Sequence, residues 1–193
     1  MAYRHGLVIG LLVACVASGS LAWAGECQGV RVPDALEVGG ERLVLNGLGL
    51  REATVFKINV YVAALYLKEK SDDGEAIAGA DQSKLMRLSF LRGVSKADMR
   101  KTITEGVKKS SPEEWTTLQA RVQQFFEMLP AFEPGETLTL WYVPGKGVQV
   151  KAPGQGSGVI EGLDFARALF RVWLGEPPTS VGLKKGLLGG RCG

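Results

Sequence analysis

The chain has 193 residues, 46% of them hydrophobic, with 23 basic residues against 20 acidic ones and a formal charge of +3. That size suits one domain with a real core. So slight a positive excess gives no electrostatic footprint for nucleic acid.

Residues 1–24 read as a secretory signal peptide. Arg4 precedes the apolar run Leu7 to Val16, and Ala22-Trp23-Ala24 is a small-x-small cleavage site. The apolar core is too short to stop in a bilayer, and no later stretch reaches transmembrane length. A competing reading is a lipobox at Leu12-Val13-Ala14-Cys15, which would acylate Cys15. The short apolar segment ahead of that cysteine favours plain export, so a periplasmic or secreted protein is expected, with 25–193 as its single domain. Removing Arg4 from the 23 basic residues leaves 22 against 20 acidic ones.

Export also removes the only histidine, His5. A Ser-His-Asp triad, a Cys-His pair and a histidine metal site are thereby excluded from the mature chain, and no cofactor motif is present. Cys27 and Cys192 remain, one at each end. An oxidising compartment invites them to pair, and a disulfide closing nearly the whole chain contributes on the order of 3–5 kcal/mol. The alternative is two free thiols in frayed tails. Nothing points to a redox role, since there is no Cys-x-x-Cys.

In chain order, Val30 to Gly40 is punctuated by Pro33-Asp34 and Gly39-Gly40 into a short strand and a turn. Glu41 to Leu45 alternates as a returning strand, and Asn46-Gly47 is a turn signal. Arg51 to Lys68 is β-branched and aromatic with no Gly or Pro, which predicts one long central strand bent near Thr54. Its alternate residues Phe56, Ile58, Val60, Val62, Ala64 and Tyr66 are fit for a buried face. The other face carries Arg51, Lys57, Asn59 and Tyr61 at one end and Ala63, Leu65 and Leu67 at the other. That gradient suits an amphiphile held head to cation. Equally, Lys57 and Asn59 simply meet water on the open side of an antiparallel sheet.

Beyond the loop at Ser71, a short helix near Glu75 to Ala80 and a strand from Lys84 to Arg92 are expected. Ser95 with Asp98 three residues on reads as a helix start, and that helix ends near Lys109. Ser111-Pro112-Glu113-Glu114 reads as the start of another. Trp115, Leu118, Val122, Phe125, Phe126 and Leu129 then recur at helical spacing as a core stripe. Thr137 to Val143 and Val148 to Ala152 pair around Pro144-Gly145-Lys146-Gly147, which lacks the rest of a phosphate-loop motif. Leu163 to Leu174 is a buried helix stopped by Gly175, and a last helix spans Ser180 to Leu188. The order gives an α+β fold, an antiparallel sheet with helices packed on it.

Gly49-Leu50-Arg51 with Val60-Tyr61-Val62-Ala63-Ala64-Leu65-Tyr66 resembles the glycine-arginine segment and following strand of chalcone isomerase-like proteins. Val159-Ile160-Glu161, leading to Ala168-Leu169-Phe170-Arg171-Val172-Trp173-Leu174-Gly175, is similar to that family's late helix. The likeness runs from about Val32 to Leu188 and is to the exported bacterial branch rather than the plant enzymes. It implies a large antiparallel sheet, helices against it and an apolar cleft between the layers. Plant members cyclise a chalcone to a flavanone, whereas others bind fatty acids without catalysis.

Matched residue by residue, the family's arginine falls at Arg51, its strand threonine at Tyr61, its tyrosine near Asp98, its asparagine near Glu105 and its late threonine at Val172. Three of these five polar positions are altered, two of them to acids, which repel a developing phenolate. Arg51 and Tyr61 survive as a cation and a hydroxyl, with Asn59 on the same strand face and Leu65, Phe126, Val172 and Trp173 available to line an apolar cavity. The implied function is non-catalytic binding of a fatty acid or other hydrophobic carboxylate. The alternatives are an isomerase or intramolecular lyase, an envelope interaction protein, and an Arg51 that pairs with Glu105 and seals the cleft.

Overall fold

The computed structural model describes residues 23–53, 56–190 and 192. The leader and the Cys15 lipobox lie outside these residues, apart from Trp23 and Ala24, and so does the expected bend at Thr54. β1 (Trp23–Cys27) and β2 (Val30–Pro33) form an antiparallel ribbon. β3 (Ala35–Val38), β4 (Glu41–Ala53), β5 (Ile58–Leu67), β6 (Lys84–Phe90), β7 (Thr137–Val143), β8 (Gly147–Lys151) and β9 (Gly158–Ile160) form one antiparallel sheet in that order. Helices α1 (Gly74–Gly79), α2 (Lys96–Ser110), α3 (Trp115–Glu127), α4 (Leu163–Leu174) and α5 (Val181–Leu187) complete the expected α+β architecture.

The stretch 51–68 is not one strand. Arg51 to Ala53 ends β4, the chain turns, and β5 returns with Tyr61 opposite Arg51. Lys57 takes a left-handed φ of 49° in that turn, a conformation usually marked by Gly or Asn, so the reversal left no punctuation in the sequence. Phe56, expected on a buried face, stands at the turn with 82% of its surface exposed.

From Val60 onward the alternation holds, but both faces are covered. Tyr61, Ala63, Leu65 and Leu67 join the main core between sheet and helices. Val62, Ala64 and Tyr66 join a second core with Leu43, Leu45, Leu48 and Leu50 of β4 and with Cys27 and Val32 of the ribbon. Burial on two sides explains why β5 reads as an almost unbroken apolar run.

Asn46-Gly47 is also not a turn; both lie inside β4 beside a bulge. Asn46 is buried. Its amide donates to the carbonyls of Leu187 (2.8 Å) and Ser71 (2.9 Å), and its oxygen accepts from the Ser71 N–H at 2.8 Å. A Cβ at Gly47 would lie 2.2 Å from the Gly186 carbonyl oxygen, and one at Gly49 would lie 2.3 Å from that of Leu183. These glycines let α5 rest backbone to backbone on the strand.

Ser95 caps α2 as expected, its Oγ accepting from the Asp98 N–H at 3.1 Å. Ser111 does not start the next helix. It ends α2, its N–H donating to the Val107 carbonyl, and α3 begins at Trp115 after a turn. The α3 stripe packs as core, and α4 is buried along most of its length. Cys27 and Cys192 are joined by a disulfide, with Cα atoms 5.7 Å apart.

Candidate functional site

A cleft of about 430 Å³ opens where the β4–β5 hairpin meets the first turns of α2. The sheet contributes Arg51, Ala53, Val60 and Tyr61, and the β6–α2 connection contributes Arg92 to Val94. From α2 come Asp98, Met99, Lys101, Thr102 and Glu105. The register that sets Arg51 opposite Tyr61 places both on the helix-facing side of the sheet.

Tyr61 is buried, and its phenol oxygen accepts a 2.9 Å hydrogen bond from the Trp173 indole N–H. Its ring meets Phe90 edge-on at 5.7 Å. Burial raises the phenol's pKa, and the opposing pulls of the Trp173 bond and the Arg51 charge are smaller. Tyr61 therefore stays protonated at neutral pH. Its oxygen is engaged by the indole, while its proton has no acceptor among the described residues and remains available as a donor.

Arg51 is half-buried and donates to the Glu52 carbonyl. No described carboxylate pairs with it, so the Arg51–Glu105 seal weighed above is not formed. Asp98 is held by its own helix start, accepting from the Ser95 hydroxyl at 2.7 Å. Glu105 is exposed about two turns beyond Asp98 along α2. The lining thus balances three cations, Arg51, Arg92 and Lys101, against two carboxylates. Arg51 stands opposite Tyr61 in the strand register and its charge reaches the phenol, a cation and a hydroxyl of the types that bind a carboxylate.

Of the residues expected here, Arg51, Tyr61, Asp98 and Glu105 come together in the cleft. Trp173 acts from behind through Tyr61. Val172 is buried against α2, where a Cβ at Gly106 would lie 2.7 Å from it. Leu65 is fully buried core, and Phe126 packs under the Arg100 guanidinium, 5.6 Å from its ring. Asn59 donates to Gln28 at 3.1 Å and does not line the cleft. The expected greasy slot of Leu65, Phe126, Val172 and Trp173 is therefore filled by packing. The cleft's apolar lining comes from Ala53, Val60, Val94 and Met99 instead. Arg92, Lys101 and Thr102 were not anticipated; the one available signal was their position around the Ser95 cap, which fixes the start of α2. Among the described residues no cluster of three His, Cys, Asp or Glu side chains is placed to hold a metal.

The family model described as chalcone isomerase-like matches residues 24–189. The chain belongs to the chalcone isomerase-like family. No curated protein matches it. Among solved structures, it is similar to an Arabidopsis thaliana fatty-acid-binding protein at 18% identity and a TM-score of 0.63. That likeness covers 83% of this chain and 92% of the plant protein. At such identity it establishes the chalcone isomerase-like fold and no more. Among the described residues no helix is long and apolar enough to cross a membrane.

Proposed function

We propose that this chalcone isomerase-like protein binds a fatty acid or another hydrophobic carboxylate reversibly, without catalysis, after export to the periplasm. The observation that carries the reading is the pairing at the cleft. A half-buried Arg51 has no described carboxylate partner, and Tyr61, paired with it in the strand register, stays protonated through burial while its oxygen accepts from Trp173. The carboxylate would lie between Arg51 and Tyr61, and the first part of the chain along Val60, Val94 and Met99. A longer chain would need the seam between α2 and α4, where Gly106 meets Val172, to part. The fatty-acid binding recorded for the Arabidopsis structure supports the same ligand class. Flavanone-type chemistry is disfavoured because three of the five matched polar positions are altered, leaving too few donors to hold a developing phenolate.

Native mass spectrometry of protein purified from its own periplasm tests this. The expected spectrum shows a co-purified acyl chain that is lost in Arg51→Ala. A clean apo spectrum with no uptake of added palmitate refutes it, and turnover of a chalcone, followed by loss of its visible absorbance, would replace binding with catalysis.

A further inference from the structure

The opposite face of the sheet holds a second cavity that the Arg51 cleft does not involve. The β1–β2 ribbon covers β4 and β5 there, through Cys27 and Val32. Further along, the sheet curls until the β3–β4 turn reaches Trp141 on β7: a Cβ at Gly39 would lie 2.5 Å from the indole ring. Between β3 and the strands β6 to β8 this curl leaves a groove of about 520 Å³, within the range of small-molecule clefts, roughly 300–1,000 Å³.

Its walls are apolar, with Leu36 and Val38 on one side and Leu85 and Trp141 on the other. Arg87 lies between them. It follows Leu85 by two residues on β6, so both point away from the helices, as does Thr139 opposite it on β7. Arg87 is half-buried, and no described side chain or carbonyl bonds to it or pairs with it. Lys151, directly across from Thr139, adds a second cation at the exposed edge. Among the described residues the groove's lining contains no Asp or Glu, unlike the Arg51 cleft with its two acids. A guanidinium drawn partly out of water loses hydration that no hydrogen-bond partner among the described residues replaces. An anion from solution would supply the missing partner, and the indole and aliphatic walls would cover an apolar body.

We propose that this groove is a second ligand site, taking a medium-chain or aromatic carboxylate with its acid group on Arg87 and its apolar part between Val38 and Trp141. The site is independent of the Arg51 cleft, because the two open on opposite faces of the sheet.

The indole resonances of Trp141 and Trp173 report separately on the two faces, which allows a direct test on the oxidised protein by ¹⁵N–¹H NMR. Titrated decanoate is expected to shift the Trp141 indole saturably, and Arg51→Ala should leave that shift in place. Decanol, the neutral counterpart, should bind at least about tenfold more weakly, as should decanoate to Arg87→Met. Val38→Glu, which sets an acid against Arg87 from the opposite wall, should have the same effect and serves if Arg87→Met fails to fold. The proposal is overturned if decanoate moves only the Trp173 indole, if decanol binds equally well, or if Arg87→Met and Val38→Glu retain full affinity. Loss of the Trp141 response in Arg51→Ala would also overturn it, by showing one site instead of two. Absence of any Trp173 response with the Trp141 response intact would count only against the cleft reading above.

Discussion

Tyr61→Phe keeps the aromatic ring and its edge contact with Phe90 but deletes the oxygen that accepts from Trp173. Trp173 is almost wholly buried, so its indole N–H would be left without an acceptor. A buried donor stranded in this way costs about 1–3 kcal/mol, and burying a phenyl in place of a phenol returns part of that. Urea unfolding followed by far-ultraviolet circular dichroism should therefore show a loss of about 1–2 kcal/mol with an unchanged slope. Trp173→Phe removes the donor from the other side and also leaves a void. In the double variant no N–H is stranded, so the two losses should fall short of additivity by about 1 kcal/mol. Palmitate affinity should drop roughly tenfold or more in Tyr61→Phe, since a hydrogen bond to a charged acceptor contributes about 1.5–3 kcal/mol. Additive stabilities within about 0.3 kcal/mol, together with unchanged palmitate binding, would refute both the bond and the directed proton.

The remaining expectations concern the framework. Lys84 is buried, with its amine donating to the Ala80 carbonyl at 2.5 Å and lying 4.7 Å from the Tyr142 ring centre, and burial lowers its pKa to about 8. The unfolded chain then holds more protons at Lys84 between about pH 8 and 10.5, so this group's contribution to stability should rise across that window by up to about 3 kcal/mol. Above pH 10 the sign reverses, because burial pushes Tyr66 up to about 12 and the unfolded chain loses that proton first. Lys84→Met should flatten the rise between pH 8 and 10; a thermal melt series showing the same slope in wild type and variant would contradict the assignment. Reducing the disulfide, which spans 165 residues, should lower the unfolding free energy by up to about 5 kcal/mol, measured by denaturation with and without reductant. Asn46→Ala would strand three backbone groups at once and should cost about 2–5 kcal/mol; a loss below about 1 kcal/mol would mean that water replaces the amide.

The parts legible from the sequence are those whose signals are local. Thr137–Val143 alternates between two chain reversals, and Leu163–Leu174 is mostly apolar up to Gly175, with Asp164, Arg167 and Arg171 kept to one face, so both were read to the residue. The errors fall where distant contacts decide. Asn46-Gly47 carries the hairpin signature, yet α5, arriving some 140 residues later, uses the bare glycines as a bed and the amide as an anchor. The reversal after Ala53 was missed because a lysine took the conformation that a glycine would have announced. In the cleft, Arg51 and Tyr61 were legible through the family resemblance. The Trp173 N–H that fixes the phenol was not, since 112 residues separate the two partners. The Arg87 groove was hidden for a related reason: only the curl of the sheet brings β3 across from β7.

The glycines of β4 have a mechanical consequence. Where α5 crosses Gly47 and Gly49, its carbonyls lie directly against the strand backbone, with the Leu183 side chain beside Gly49. Arg51 stands two residues beyond Gly49 on the same strand. A displacement of that strand segment would therefore bear on the α5 backbone, which leads on to the tail tethered by Cys192.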